Sequence, residues 1–305
     1  MLLPMTLPTA MPGCPCTAAI RDTASSGAEV PKATIVAFGT SAPELAVSLM
    51  AAVQGHPGIA VGNVIGSNIA NVFMVLGVPA LVYTISTQDK GARSQSLFMV
   101  GVTVLFIFMC FNSPLNAFDG MILLGFLAIA VVASIKGGMA VVDLGPQEQK
   151  LERVLGLPSS PWFMILFVVL GGIAMPVGAD LTLRGAASIA IDLGVPEAVI
   201  AVSVVALGTS LPELSTTLIA AFHRQMEMAV GNVIGSNVLN LLLVMAVTSL
   251  VVDVPVVPEF LRLDLWVMLA AAVVLAALVT LRIAITRTLG ALFVIAYVSF
   301  VWSAY

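Results

Sequence analysis

Long apolar runs, broken at intervals by charges, glycines and prolines, divide this chain into nine stretches of roughly membrane-spanning length. They cover about 33–54, 58–84, 97–111, 118–135, 162–190, 195–221, 226–252, 264–283 and 287–303. Crossing a bilayer as a helix takes about 20 mainly apolar residues. The longest polar interval, 136–160, carries Lys136, Asp143, Glu148, Lys150, Glu152 and Arg153, and it cuts the chain in two. The pattern predicts an all-α polytopic membrane protein. Its expected parts are an atypical segment 1–32, four spans in 33–135, a linker 136–160 and five spans in 161–305.

Composition points the same way. Of 305 residues 60% are hydrophobic and 9% charged, with a mean hydropathy of +1.10. A soluble domain has about 25% charged residues. Too little polar surface is left to cover a globule in water, so the solvent is lipid. The net charge of −4 is small and dispersed, which excludes nucleic acid as a partner. Of the three cysteines, Cys14 and Cys16 lack a second pair to complete a metal clip, and Cys110 sits inert in an apolar run.

Charge placement tests the span count. With 136–160 on the cytoplasmic side, alternation puts 85–96, 222–225 and 284–286 there too. Those regions and their borders hold Lys90, Arg93, Lys136, Lys150, Arg153, Arg224, Arg282 and Arg287, while the opposite side keeps Arg262 beside Asp253, Glu259 and Asp264. This is the bias expected of a correct count, since cytoplasmic loops are enriched in lysine and arginine.

An internal repeat is the strongest signal. Residues 37–81 and 206–250 align without a gap at an offset of 169, with 23 of 45 positions identical. Gly39-Thr40-Ser41-Ala42-Pro43-Glu44 matches Gly208-Thr209-Ser210-Leu211-Pro212-Glu213, and AVGNVIGSN recurs unchanged at Ala60–Asn68 and Ala229–Asn237. Asn71 matches Asn240. Five spans separate the two copies, so the second is inverted in the membrane. Inverted repeats are the architecture of secondary transporters, whose sites lie near the midplane where the copies meet. The symmetry is broken at the start. The second motif follows a span containing Gly178-Ala179-Asp180, whereas the first follows a proline-rich stretch with no apolar run of spanning length. A wrong start or a reading-frame error is the expected explanation for this missing span.

Glu44 and Glu213 fall inside apolar spans. A carboxylate there costs about 3 kcal/mol on insertion scales, so two at matched positions point to function. Pro43 and Pro212 lack an N–H, which deprives the carbonyls of Gly39 and Gly208 of their helical partners. Gly39 and Gly208 are read as allowing close backbone approach, and Thr40, Ser41, Thr209 and Ser210 add hydroxyls. Asn63, Ser67, Asn68 and Asn71, with Asn232, Ser236, Asn237 and Asn240, supply further oxygen on the next span. Ion contact is favoured for Ser67, Asn71, Ser236 and Asn240; packing and function weigh equally for Asn63 and Asn232. No thiolate or imidazole belongs to the set, which favours Ca²⁺ or Na⁺ over zinc and copper. Asp180 and Arg184 are expected to pair locally, and His56 and His223 to be solvated at span ends.

These paired motifs, GTSxPE followed by GNVIGSN, resemble the two alpha repeats of the calcium/cation antiporter superfamily, in particular its prokaryotic sodium/calcium exchanger branch. The resemblance covers residues 33 to about 303 and implies two inverted repeats of about five helices, ten spans where nine are recognisable. It implies antiport of Ca²⁺ against Na⁺ by alternating access, without a cofactor and without enzymatic chemistry. Glu44 and Glu213 would bind Ca²⁺ with the carbonyls of Thr40 and Thr209. Sodium would add Ser41, Ser210, Ser67, Ser236 and the carbonyls of Ala37 and Ala206, with Asn71 and Asn240 nearby. Several members carry aspartate at the position of Asn240, which in the eukaryotic branch accompanies potassium co-transport. Another driving ion or cargo, H⁺ or Mn²⁺, and a cation-binding relative that does not transport remain the alternatives. The expected setting is a bacterial plasma membrane and the expected state a monomer.

Overall fold

The computed structural model describes residues 41–88, 91–135, 180–186, 194–222 and 227–304, with isolated positions between 170 and 192. Segment 1–32, the linker 136–160, and with them Ala37, Gly39, Thr40, His223 and Arg224, lie outside the described residues, as does most of the predicted span 162–190. Nine helices are described beside residues 180–186: α1 (Ala42–Val53), α2 (Pro57–Val82), α3 (Ala92–Phe111), α4 (Ala117–Ile135), α5 (residues 197–209), α6 (Leu211–Phe222), α7 (Ala229–Val251), α8 (Phe260–Thr280) and α9 (Arg287–Ala304). No strand is present among the described residues. Among the described residues six helical stretches are long and apolar enough to cross a membrane.

Two boundaries differ from the sequence pattern in an instructive way. The predicted span 195–221 is one apolar run, yet the helix breaks at Ser210, between α5 and α6. Ser210 sits at φ −84°, ψ 2°, and its counterpart Ser41 at φ −87°, ψ 3°, so both motifs make the same turn. Pro212 and Pro43 then fall in the first turn of the following helix, where a missing N–H costs nothing. The second difference is a π-helical turn inside each GNVIGSN helix, at Asn71–Val75 and Asn240–Val244. Such bulges are frequent at functional sites. Hydropathy is blind to both features, because neither changes which residues are apolar.

The helices α2 and α7 form the centre. In each, 83% of the spanning window is buried, against 17% for Ala117–Ser134, whose Phe118, Met121 and Ile129 are exposed. Those exposed apolar side chains face lipid. α2 is built for close approach: a β-carbon on Gly62 would stand 2.7 Å from that of Ala201, and one on Gly66 2.2 Å from the Val202 carbonyl oxygen. Gly208, read as a close-approach residue, meets nothing within 4 Å among the described residues. Gly62 and Gly66 of α2 are packed tightly instead, because α5 lies directly across them.

The halves interlock. α4 packs on the end of α7, and α9 on the end of α2, so each half ends on the other. Isolated bridges Ile85–Ile285 and Leu115–Val254 pin the connecting segments. They are related by the repeat as well: Ile85 and Val254 lie 169 apart, Leu115 and Ile285 170. Asp180 and Arg184 pair at 2.8 Å as expected, and Gln54 at the end of α1 donates to Asp180 at 3.3 Å. His56, expected to be solvated, is half-buried because it lies in the turn into α2, where its N–H donates to the Ala51 carbonyl. Cys110 is buried in the core.

Candidate cation site

Glu44 and Glu213 each stand in the first turn of a helix that follows a broken turn, and both are fully buried. Acidic groups are stabilised at that end by the unpaired N–H groups of the helix start. Among the described residues, neither oxygen of either carboxylate has a hydrogen-bond donor in good geometry, although the Ser236 hydroxyl lies alongside Glu213. The hydroxyls of Ser41 and Ser210 and the amide oxygens of Asn71 and Asn240 are likewise buried and unpartnered. These eight oxygens come in matched pairs, one member from each repeat. A buried polar group without a partner costs several kcal/mol, and an ionised one far more. A cation in contact with them would offset that cost.

Elements of opposite repeats bring them together. The π turn of Asn71 packs on α6, the helix of Glu213, and the π turn of Asn240 packs on α1, the helix of Glu44. The Ser67 hydroxyl donates to the Ala206 carbonyl at 3.4 Å and lies 3.2 Å from the Thr209 hydroxyl. Thr209 sits 2.9 Å from Asn63 Oδ1 and 3.1 Å from the Ala206 carbonyl. Asn63 then donates to Ser48 at 3.0 Å and weakly to the Glu44 carbonyl at 3.5 Å. Asn63 is therefore a tie between the Glu44 helix and the second GTS motif. Asn232 turns to Thr216 and Thr217 within its own half. Thr40 and Ala37 lie outside the described residues.

Sequence reasoning missed Ser48 and Thr217, the hydroxyls that receive Asn63 and Asn232. The signal was available: they stand 169 apart, inside the aligned repeat. It also took Asn68 and Asn237 as further oxygen suppliers. Their side-chain oxygens are already engaged, Asn237 Oδ1 by Asn71 at 3.0 Å and Asn68 Oδ1 by Asn240 at 3.3 Å. Among the described residues no cluster of three or more His, Cys, Asp or Glu exists. The site thus has two carboxylates within a shell of hydroxyls, amides and carbonyls. Such all-oxygen sets suit hard cations such as Ca²⁺.

Comparison with known proteins agrees with this chemistry. The family profile described as sodium/calcium exchanger protein matches residues 10–136 and 163–305. It therefore begins within segment 1–32, earlier than the repeat motifs alone reach. The putative antiporter CaxA of Alkalimonas amylolytica is 32% identical over 271 residues, 88% of this chain and 85% of that protein. The sodium/calcium exchanger MaX1 of Methanosarcina acetivorans is 31% identical over 303 aligned positions, covering 88% of this chain and 86% of its own. A solved structure of the sodium-calcium exchanger NCX_Mj, soaked with Na⁺ and Sr²⁺, superposes with a TM-score of 0.65 at 31% identity, covering 90% of this chain and 86% of that one.

Proposed function

The chain belongs to the sodium/calcium exchanger family of membrane cation antiporters, and from that premise we propose that it exchanges Ca²⁺ for Na⁺ by alternating access at the site between its two repeats. The observation that carries this reading is the set of matched unpartnered oxygens on Ser41 and Ser210, Glu44 and Glu213, Asn71 and Asn240. Two glutamates carry −2, which balances one Ca²⁺. Sodium ions require the same oxygens, so one site cannot hold both loads at once. Opening to one side at a time then couples the two fluxes, since each load returns only after the other leaves.

Thr209 and Ala206 contribute carbonyls to this reading, with Ser67 and Ser236 as hydroxyl ligands and Thr40 and Ala37 as the first-repeat counterparts. One chain supplies both halves of the site, so a monomer suffices. We place the chain in a bacterial plasma membrane, and the loop charges support residues 136–160 on its cytoplasmic side.

The test is Ca²⁺ uptake into proteoliposomes of the purified protein under an outward Na⁺ gradient. Uptake that needs the gradient is expected. Uptake driven by a proton gradient alone would move the driving ion to H⁺. Cation binding without any flux would make the chain a sensor.

A further inference from the structure

An asparagine amide has one end that donates and one that accepts, and only the accepting end is useful to a cation. Among the described residues Asn71 and Asn240 both bury an unpartnered Oδ1, so something holds each amide in that orientation. We propose that Asn68 and Asn237 are positioning residues that set Asn71 and Asn240, across the repeat boundary, to present oxygen and not N–H to the transported cation. The inference rests on the exchange reading above and assigns roles to residues that reading leaves unused.

The argument runs from groups that have no choice. The backbone carbonyl of Asn68 can only accept, and Asn237 Nδ2 donates to it at 3.1 Å. Asn237 must therefore turn its Oδ1 the other way, where it accepts from Asn71 Nδ2 at 3.0 Å. With its amide nitrogen held toward Asn237, Asn71 turns Oδ1 the other way. The second chain starts at a thioether, which also can only accept. Asn68 Nδ2 donates to Met268 Sδ at 3.8 Å, leaving Asn68 Oδ1 to accept from Asn240 Nδ2 at 3.3 Å. Asn240 again ends with Oδ1 unpartnered. Each relay crosses from one repeat to the other, and the four asparagines are all buried. The chains differ at their anchors, since a carbonyl is a better acceptor than a sulfur. The Asn240 amide is thus held less firmly than that of Asn71.

A double-mutant cycle separates positioning from general packing. Half-saturating Na⁺ for exchange and Ca²⁺ affinity of the purified protein are measured for Asn71→Ala, Asn237→Ala and the double variant, then for Asn240→Ala, Asn68→Ala and their double. Asn237→Ala and Asn68→Ala should each weaken cation affinity about fivefold, the scale of one buried hydrogen bond between neutral groups. Once Asn71 or Asn240 is already alanine, the same change should cost less than about twofold, because its only route to the ion is gone. Met268→Leu should weaken affinity about twofold to threefold, and only when Asn240 is intact. Additive losses in both cycles would overturn the relay and leave Asn68 and Asn237 as packing residues. Affinities unchanged by Asn71→Ala and Asn240→Ala would overturn it too. Should an alanine variant fold poorly, Asn237→Leu and Asn68→Leu keep the volume and test the same coupling. Binding that also ignores Glu44→Gln and Glu213→Gln marks failure of the exchange site itself, which is a different result.

Discussion

The helix segment Ala60–Asn68 and its counterpart Ala229–Asn237 have the same nine residues but meet different neighbours. In the first, a β-carbon at Gly66 would run into Val202, and Asn63 reaches across to Thr209 of the opposite repeat. In the second, Gly235 meets nothing within 4 Å among the described residues, and Asn232 stays with Thr216 and Thr217. The shared sequence sets the helix, its π turn and the amide chemistry, whereas the partner of each amide depends on what the opposite repeat brings. A repeat protein with one candidate site between its copies therefore uses each copy twice. The copy holds its own glutamate helix, and it lends asparagines to the other.

The comparison breaks most sharply at the glutamates, where the two halves are required together. Glu44→Gln or Glu213→Gln removes half of the charge that balances Ca²⁺. Either change should abolish Na⁺-driven Ca²⁺ uptake while folded protein remains in the membrane, since an amide is no more costly to bury than a carboxylate. Uptake assays in proteoliposomes, normalised to reconstituted protein, read this directly. Transport at the wild-type rate by either variant would remove that glutamate from the site.

The glycines sharpen it next. Gly66→Ala forces a methyl against a backbone carbonyl that stands 2.2 Å from the ideal position. Overpacking of this kind costs about 3 kcal/mol, because the clash is with backbone and cannot be relieved by a rotamer change. The apparent unfolding midpoint of the purified protein should fall by about 6–12 °C. Gly235→Ala should shift it by less than about 2 °C on the neighbours described. An equal fall for Gly235→Ala would show that residues 33–37, the counterpart of 202–206, close on α7 as α5 closes on α2.

Much of this site was legible in the sequence. The offset of 169 identified the matched glutamates, the serines and the asparagines, because a repeat reveals positions that packing alone would not preserve twice. The break at Ser210 and the π turns at Asn71 and Asn240 were not legible, since both are local choices of hydrogen bond within continuous apolar runs. The direction of an amide is also invisible in sequence. Asn68 and Asn71 are the same residue type, and only their neighbours decide which one turns its oxygen outward. For the same reason nothing in the sequence marks Met268, whose sulfur lies beside Asn68 Nδ2.

The smallest effect is expected from potassium. Both repeats carry asparagine where a third carboxylate would stand, at Asn71 and Asn240. The site then holds two negative charges, enough for one Ca²⁺ and too few to offset a further monovalent cation in a low-dielectric interior. Unbalanced buried charge is severely penalised, so K⁺ has no compensating partner. Exchange measured with K⁺ replaced by choline on both sides should keep its rate. Asn240→Asp supplies the missing charge, but it also replaces the donor that faces Asn68 Oδ1 with an acceptor. It should therefore change cation dependence more than Asn71→Ala, which adds no charge and removes one oxygen together with the donor to Asn237 Oδ1. A wild-type rate that collapses in choline would mean that a carbonyl or hydroxyl set binds K⁺ without a third carboxylate, and that counting charges at Asn240 is the wrong argument.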